Sequence, residues 1–176
     1  NVNLGSYSMQ NFTLTNGDNT AVGYNSLTTN TVGFQNTAFG SNALYGNTGV
    51  NNTAVGFQSL YNNTGGGYNT AVGSAALYGN TGGAGNIAIG ASSLLNVSNG
   101  NYNIGIGYNV KLLTQTDTDS IVIGSGATGA GSNTTVIKQL RDADGTPIIP
   151  DADYSNYVHY NSTTNEVTYI PEVLYV

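Results

Sequence analysis

The stretch Asn69-Thr70-Ala71-Val72-Gly73-Ser74-Ala75-Ala76-Leu77 decides the fold, because it is one copy of a unit that recurs along most of the chain. Each copy has a leading Asn (Ser120 in the last copy), three residues, a glycine and, in most copies, a leucine four residues later. The motif glycines follow one another at a nearly constant interval: Gly5, Gly23, Gly40, Gly56, Gly73, Gly90, Gly107 and Gly124. A fixed period, here of about 17 residues, is the sequence signature of a solenoid, in which each repeat forms one coil of a stack.

The composition excludes several classes of protein. Only 7% of the 176 residues are charged, against about 25% in an ordinary globular protein. The net charge is −6 with three basic residues, so we expect neither nucleic-acid binding nor attraction to an anionic membrane. Cysteine is absent, and an apolar run of about 18 residues is absent too, which excludes disulfides and predicts no membrane insertion in this segment. Because the chain begins with Asn1, we expect a fragment or a processed product of a longer protein.

The three residues before each motif glycine predict a very short β-strand. Strand alternation places the first and third residues, such as Thr70 and Val72, on one face and the middle residue, Ala71, on the other. Because both faces are apolar, we expect both to be buried, one inside the coil and one between chains. The small middle residues would allow close approach of identical rods, so they are predicted to form a trimer seam: Ala21, Ala38, Ala54, Ala71, Ala88, Gly105 and Val122.

The rest of each coil is predicted to contain a second short strand, such as Ala76-Leu77, and a closing loop rich in Asn and Gly. Like residues lie one strand spacing apart in a β-solenoid, so the leading asparagines are expected to form hydrogen-bonded ladders. Each coil orders about 17 residues around only three or four large apolar side chains, which favours association of several chains.

The composition changes near residue 138. Residues 138–176 contain all three prolines and most of the acidic residues. We therefore divide the chain into a solenoid domain, 1–137, of about eight coils and a C-terminal β junction or cap, 138–176. Tyr157-Val158-His159-Tyr160 and Glu166-Val167-Thr168-Tyr169 flank a polar five-residue segment, which predicts a hairpin over 157–169.

These repeats resemble the head repeats of trimeric autotransporter adhesins, the YadA-type head. Residues Asn69 to Gly73 match the head unit, and Ser120-Ile121-Val122-Ile123-Gly124 is the copy nearest to the adhesin form. The longer Asn-Thr-Ala-Val-Gly form is also similar to repeats in the tail fibres of phages and large viruses. The resemblance covers about residues 1–137, although the period is longer than that of the adhesins. It implies an all-β fold, a left-handed parallel β-roll assembled as a trimer, here with coils of about 17 residues.

Catalysis and metal binding have little support in the sequence. His159 is the only histidine, which excludes a histidine-based triad or a multi-histidine site within one chain, although three His159 side chains around a symmetry axis would be able to hold an ion. Asp117 and Asp119 would be candidates for the two carboxylates of a glycosidase, but their spacing is explained more simply by a polar turn. The pairs Asp142/Asp144 and Asp151/Asp153 match no EF-hand spacing. We therefore predict no enzyme activity, no cofactor and no metal site.

Tyrosines are the best candidates for ligand contacts. Tyr45, Tyr61 and Tyr78 follow the repeat leucine in three successive coils and are expected to form a stacked outward row. Such a row is able to stack on sugars, but a structural role, covering the coil edges or filling an inter-subunit groove, is favoured. Other coils place Tyr24, Phe57 and Tyr108 directly after the motif glycine.

The sequence therefore predicts a structural and adhesive role, as the shaft or head of a homotrimeric extracellular fibre. This fibre would be either a viral tail fibre or a bacterial surface adhesin. Its partners would be further copies of itself and a cell-surface glycan or other host receptor, bound multivalently. The first alternative is an ice-binding β-solenoid, for which Thr20, Thr37, Thr53 and Thr70 supply a partial threonine row. The second is a polysaccharide-degrading tailspike, which requires convergent acids that the repeat array hardly contains.

Overall fold

A computed structural model describes residues 1–11 and 17–138, together with the backbone of 158–161 and 166–169. Nine three-residue strands form one parallel sheet in chain order. The strands are β1 (Val2–Leu4), β2 (Thr20–Val22), β3 (Thr37–Phe39), β4 (Thr53–Val55), β5 (Thr70–Val72), β6 (Ile87–Ile89), β7 (Ile104–Ile106), β8 (Ile121–Ile123) and β9 (Thr135–Ile137). Each strand belongs to one coil of the stack, so the predicted parallel β-solenoid of about eight turns is confirmed.

The register aligns equivalent residues of successive coils. Between β4 and β5, for example, Thr53 pairs with Thr70, Ala54 with Ala71 and Val55 with Val72. The same alignment holds between β2 and β3 and between β3 and β4, although the repeats differ by one residue in length. The difference is absorbed in the loops, so columns of equivalent side chains run along the stack.

The middle residues of the strands point into the coil, which corrects the predicted trimer seam. Ala21, Ala38, Ala54, Ala71, Ala88 and Val122 are 0% exposed within their own chain, and Gly105 is also buried. A Cβ added to Gly105 would lie 2.5 Å from Cγ of Leu94. The coil interior is thin, so it accepts only small side chains opposite the leucines. The seven residues are therefore a core column and cannot form a seam.

The leucines form the opposite wall of this core. Met9, Leu27, Leu44, Leu60, Leu77 and Leu94 are all buried. The second strand predicted here is wrong, because this segment is a turn in which Ala75 and Leu77 adopt positive φ values of 55° and 50°. Such a conformation costs about 1–2 kcal/mol for a residue with a side chain. It bends the chain tightly, and it still lets the Leu77 N–H donate to the Ser93 carbonyl of the next coil at 3.0 Å.

The motif glycines meet two separate requirements, as Gly73 shows. Its φ is +135°, a region that residues with a side chain avoid. In addition, a Cβ on Gly73 would lie 2.6 Å from the carbonyl oxygen of Gly90 in the next coil. Glycine at this point thus allows both the turn after the strand and the close stacking of coils.

The predicted asparagine ladder is confirmed. Asn19, Asn36, Asn52, Asn69, Asn86 and Asn103 are buried, and from Asn36 onward each amide nitrogen donates to the Oδ1 of the preceding ladder Asn at 3.0–3.2 Å. Each Oδ1 also accepts the backbone N–H of the following ladder residue. A second buried ladder, which was not predicted from the sequence, joins Asn30, Asn47, Asn63 and Asn80.

The C-terminal strands are β10 (Val158–Asn161) and β11 (Glu166–Tyr169), which pair antiparallel with Val158 opposite Tyr169. The rest of the predicted hairpin over 157–169, including its loop, lies outside the described residues. The assignment of 138–176 to a junction or cap stays a prediction.

Candidate interaction surfaces

The outer sheet face consists of the first and third residues of each strand. In β1 to β9 every one of them is Val, Leu, Ile, Phe or Thr: Val2, Leu4, Thr20, Val22, Thr37, Phe39, Thr53, Val55, Thr70, Val72, Ile87, Ile89, Ile104, Ile106, Ile121, Ile123, Thr135 and Ile137. Several remain well exposed, including Phe39 at 57% and Ile89 at 41%. A continuous uncharged strip of this kind on a single chain is typical of an interaction surface.

The predicted tyrosine stack is present. The ring centroids of Tyr45 and Tyr61 are 5.0 Å apart, those of Tyr61 and Tyr78 are 5.1 Å apart, and both pairs are nearly parallel at 6°. Partial burial and the two flanking phenols raise the pKa of Tyr61 above its ordinary value of 10.0. Because the inner ring faces cover one another, a sugar is able to stack only at the two ends of this row. The row therefore supports coil stacking, and its role in ligand binding stays a prediction.

Other aromatic side chains are more exposed than this row. Tyr24, Phe57 and Tyr108, which directly follow motif glycines, are 52%, 52% and 64% exposed. Tyr24 packs edge-on against Tyr7, with ring centroids 5.7 Å apart.

Tyr68 and Tyr102, which were not among the residues predicted from the sequence, are 68% and 66% exposed. The signal that would have found them is their shared place, directly before the leading asparagines Asn69 and Asn103.

The two acidic candidates, Asp117 and Asp119, lie in different surroundings. Asp117 is buried and accepts hydrogen bonds from the backbone N–H of Thr114 at 2.8 Å and from its hydroxyl at 2.6 Å. Asp119 is exposed, with a φ of 55°. This geometry is that of the polar turn that the sequence favoured.

Within residues 1–11 and 17–138, no three potential ligands among His, Asp and Glu lie together as a metal site. The side chain of His159, and the pairs Asp142/Asp144 and Asp151/Asp153, lie outside the described residues.

Comparison with known proteins gives no match: no family model, no curated protein and no solved structure is found to be similar to this chain. The part of the chain that the structure describes contains no helix with the length and hydropathy of a membrane span.

Proposed function

We propose that this chain is the shaft or head of a homotrimeric extracellular fibre, viral or bacterial, that holds its subunits together through the outer sheet face and binds surface ligands multivalently. The observation that carries the proposal is the uncharged, apolar outer face running from β1 to β9, with Phe39, Val72 and Ile89 each more than a third exposed. The seam expected on the small residues thus moves to the opposite side of the strands.

The energetics favour covering this face. A fully buried aliphatic side chain contributes about 1.5–3 kcal/mol, so covering the exposed part of each outer residue contributes about 0.5–1 kcal/mol. Eight such residues are at least 36% exposed: Val2, Leu4, Phe39, Val55, Val72, Ile87, Ile89 and Ile106. Several kcal/mol per chain is thus available from association, which a solenoid with a core of small residues and single leucines needs.

Parallel packing around a common axis suits this face. Because equivalent residues repeat along the stack with the strand spacing of about 4.8 Å, identical rods side by side match one another in every coil. The resemblance of the repeats to trimeric adhesin heads favours three subunits. Repetition of weak surface contacts along the rod and around the axis would then supply avidity, which is the adhesive part of the proposal.

Multi-angle light scattering on the full chain tests this proposal. The expected result is a mass three times that of the single chain, which is 18.1 kDa. A stable mass of 18.1 kDa across the accessible concentration range would overturn the fibre proposal.

A second candidate, an ice-binding solenoid, has one observation in its favour. Thr20, Thr37, Thr53 and Thr70 lie in register on the outer face, beside a parallel column that includes Val22, Val55 and Val72. The threonine column becomes isoleucine from β6 to β8, so the row covers only half of the rod. A monomer with thermal hysteresis would favour this candidate, whereas a trimer without hysteresis would exclude it.

A further inference from the structure

One column of the solenoid carries two highly exposed tyrosines. It consists of the residues directly before the leading ladder positions, and all of them have φ between 55° and 68°: Asp18, Gln35, Asn51, Tyr68, Gly85, Tyr102 and Asp119. Tyr68 and Tyr102 are 68% and 66% exposed. They occupy equivalent places two coils apart, which is about 9.6 Å at the strand spacing of a β-sheet.

Gly85, between these tyrosines, makes room for one of the rings. A Cβ added to Gly85 would lie 2.6 Å and 2.8 Å from Cδ1 and Cε1 of Tyr102, so one edge of the Tyr102 ring rests on the Gly85 backbone. The positive φ alone does not require glycine here, because Gln35, Asn51 and Tyr68 adopt it in the same column. The absence of a side chain at Gly85 therefore fixes where the Tyr102 ring lies.

The chemistry of this column of residues suits a neutral, hydroxyl-rich ligand. Exposed tyrosine rings offer apolar surface and a phenolic hydroxyl at low cost in side-chain entropy. Gln35 and Asn51, earlier in the same column, carry amides that both donate and accept hydrogen bonds. From Gln35 to Tyr102 the column contains no charged residue, so neither a phosphate nor a basic peptide finds a complementary group there.

We propose that Tyr68 and Tyr102 form a stacking platform for an extended, neutral oligosaccharide that lies parallel to the rod axis. The column runs along the stack, which suits an extended chain. The Tyr102 ring lies over Gly85, on the side towards Tyr68, so one oligosaccharide is able to contact both rings. This inference rests on the adhesive part of the proposed function and deepens it by naming the ligand class and the surface. It differs from the Tyr45–Tyr61–Tyr78 row, whose inner ring faces cover one another.

The test uses chitotetraose and cellotetraose as probes and saturation-transfer NMR as the readout. We expect transfer to the C–H protons of at least one sugar, with saturable binding by the full chain. The variants Tyr68→Asn and Tyr102→Asn insert a residue that the column already accepts at Asn51. Each is expected to weaken binding about fivefold, the scale of one aromatic contact, and the double variant about 25-fold if the two contacts are independent.

Two further variants separate the platform from general tyrosine exposure. Tyr108→Asn removes a ring of similar exposure, 64%, outside the column, and it should leave binding unchanged. Gly85→Ala should displace the Tyr102 ring and weaken binding while the circular dichroism spectrum stays the same.

The outcomes distinguish this inference from the proposed trimer when light scattering is run on the same samples. A trimer that shows no saturation transfer with either sugar, or that binds equally well without Tyr68 and Tyr102, would overturn the platform and leave the fibre assembly standing. A monomer that binds through these two tyrosines would support the platform and overturn the trimer.

Discussion

The asparagine ladder gives the sharpest stability prediction, for the substitution Asn69→Ala. The Asn69 amide donates to Asn52 Oδ1 at 3.2 Å and to the Gly83 carbonyl at 2.8 Å. Its Oδ1 accepts from the backbone N–H and the amide of Asn86, at 2.9 Å and 3.2 Å. At about 1 kcal/mol for each net hydrogen bond, the loss of all four predicts a destabilisation of about 4 kcal/mol, before any cavity cost.

Asn80→Ala, in the same coil, is the matched control. Its amide donates to Asn63 Oδ1 at 2.8 Å and to the Gly83 carbonyl at 2.9 Å, but its own Oδ1 finds no donor among the described residues. Val97 stands where the next coil would supply the following ladder amide. Only two bonds are lost, so we expect about 2 kcal/mol for the hydrogen bonds, with the same change in side-chain volume.

Denaturant unfolding followed by circular dichroism measures both variants at one protein concentration, because association would make the midpoint depend on concentration. The expected result is a destabilisation by Asn69→Ala that exceeds that of Asn80→Ala by about 2 kcal/mol. Equal losses, or a larger loss for Asn80→Ala, would refute the view that the ladders stabilise the coils bond by bond.

Three further predictions concern the second ladder, a buried serine and the tyrosine stack. Val97→Asn should extend the second ladder, so in a double-mutant cycle Asn80→Ala becomes more costly by about 1–2 kcal/mol; an unchanged cost would contradict this. Ser59→Ala should raise the free energy of unfolding by about 1 kcal/mol, because the buried Ser59 Oγ finds no partner in the described residues. Ser93→Ala, the control, should lower it, because the Ser93 hydroxyl donates to the Gly105 carbonyl at 2.9 Å. The pKa of Tyr61 is raised, so the folded state holds its proton more tightly than the unfolded state; stability should fall as pH rises above about 10, less steeply in Tyr61→Phe.

The period and the first asparagine ladder were predictable because the glycine and the leading asparagine recur, and the strands were predictable because the three residues between them alternate in the same way in each copy. Which face of each strand points into the coil was not predictable. Ala71 and Val72 are both apolar, and strand alternation shows only that they lie on opposite sides. The deciding factor is the small width of the coil interior, where even a Cβ at Gly105 would lie 2.5 Å from Cγ of Leu94. This width depends on the whole turn, so it is visible only in the structure.

The turn at the leucine and the exposed tyrosine column were missed for related reasons. Leucine disfavours positive φ, so nothing in the residue type indicated that Leu77 would adopt it. Tyr68 and Tyr102 share a column with glutamine, asparagine and glycine, so no repeated residue type marks this column, and only its place before the leading asparagines does. Register and backbone conformation bring them together.

Sedimentation velocity on a pair of charge variants tests most directly whether the outer sheet face joins the subunits. Ile89→Lys places a charge on this face, where the native side chain is 41% exposed, and Asn96→Lys places the same charge on an exposed site elsewhere on the coil. The account predicts that Ile89→Lys sediments as a monomer of 18.1 kDa, while Asn96→Lys remains a trimer with three times that mass. A trimer that persists in Ile89→Lys, or one that dissociates equally in both variants, would contradict it.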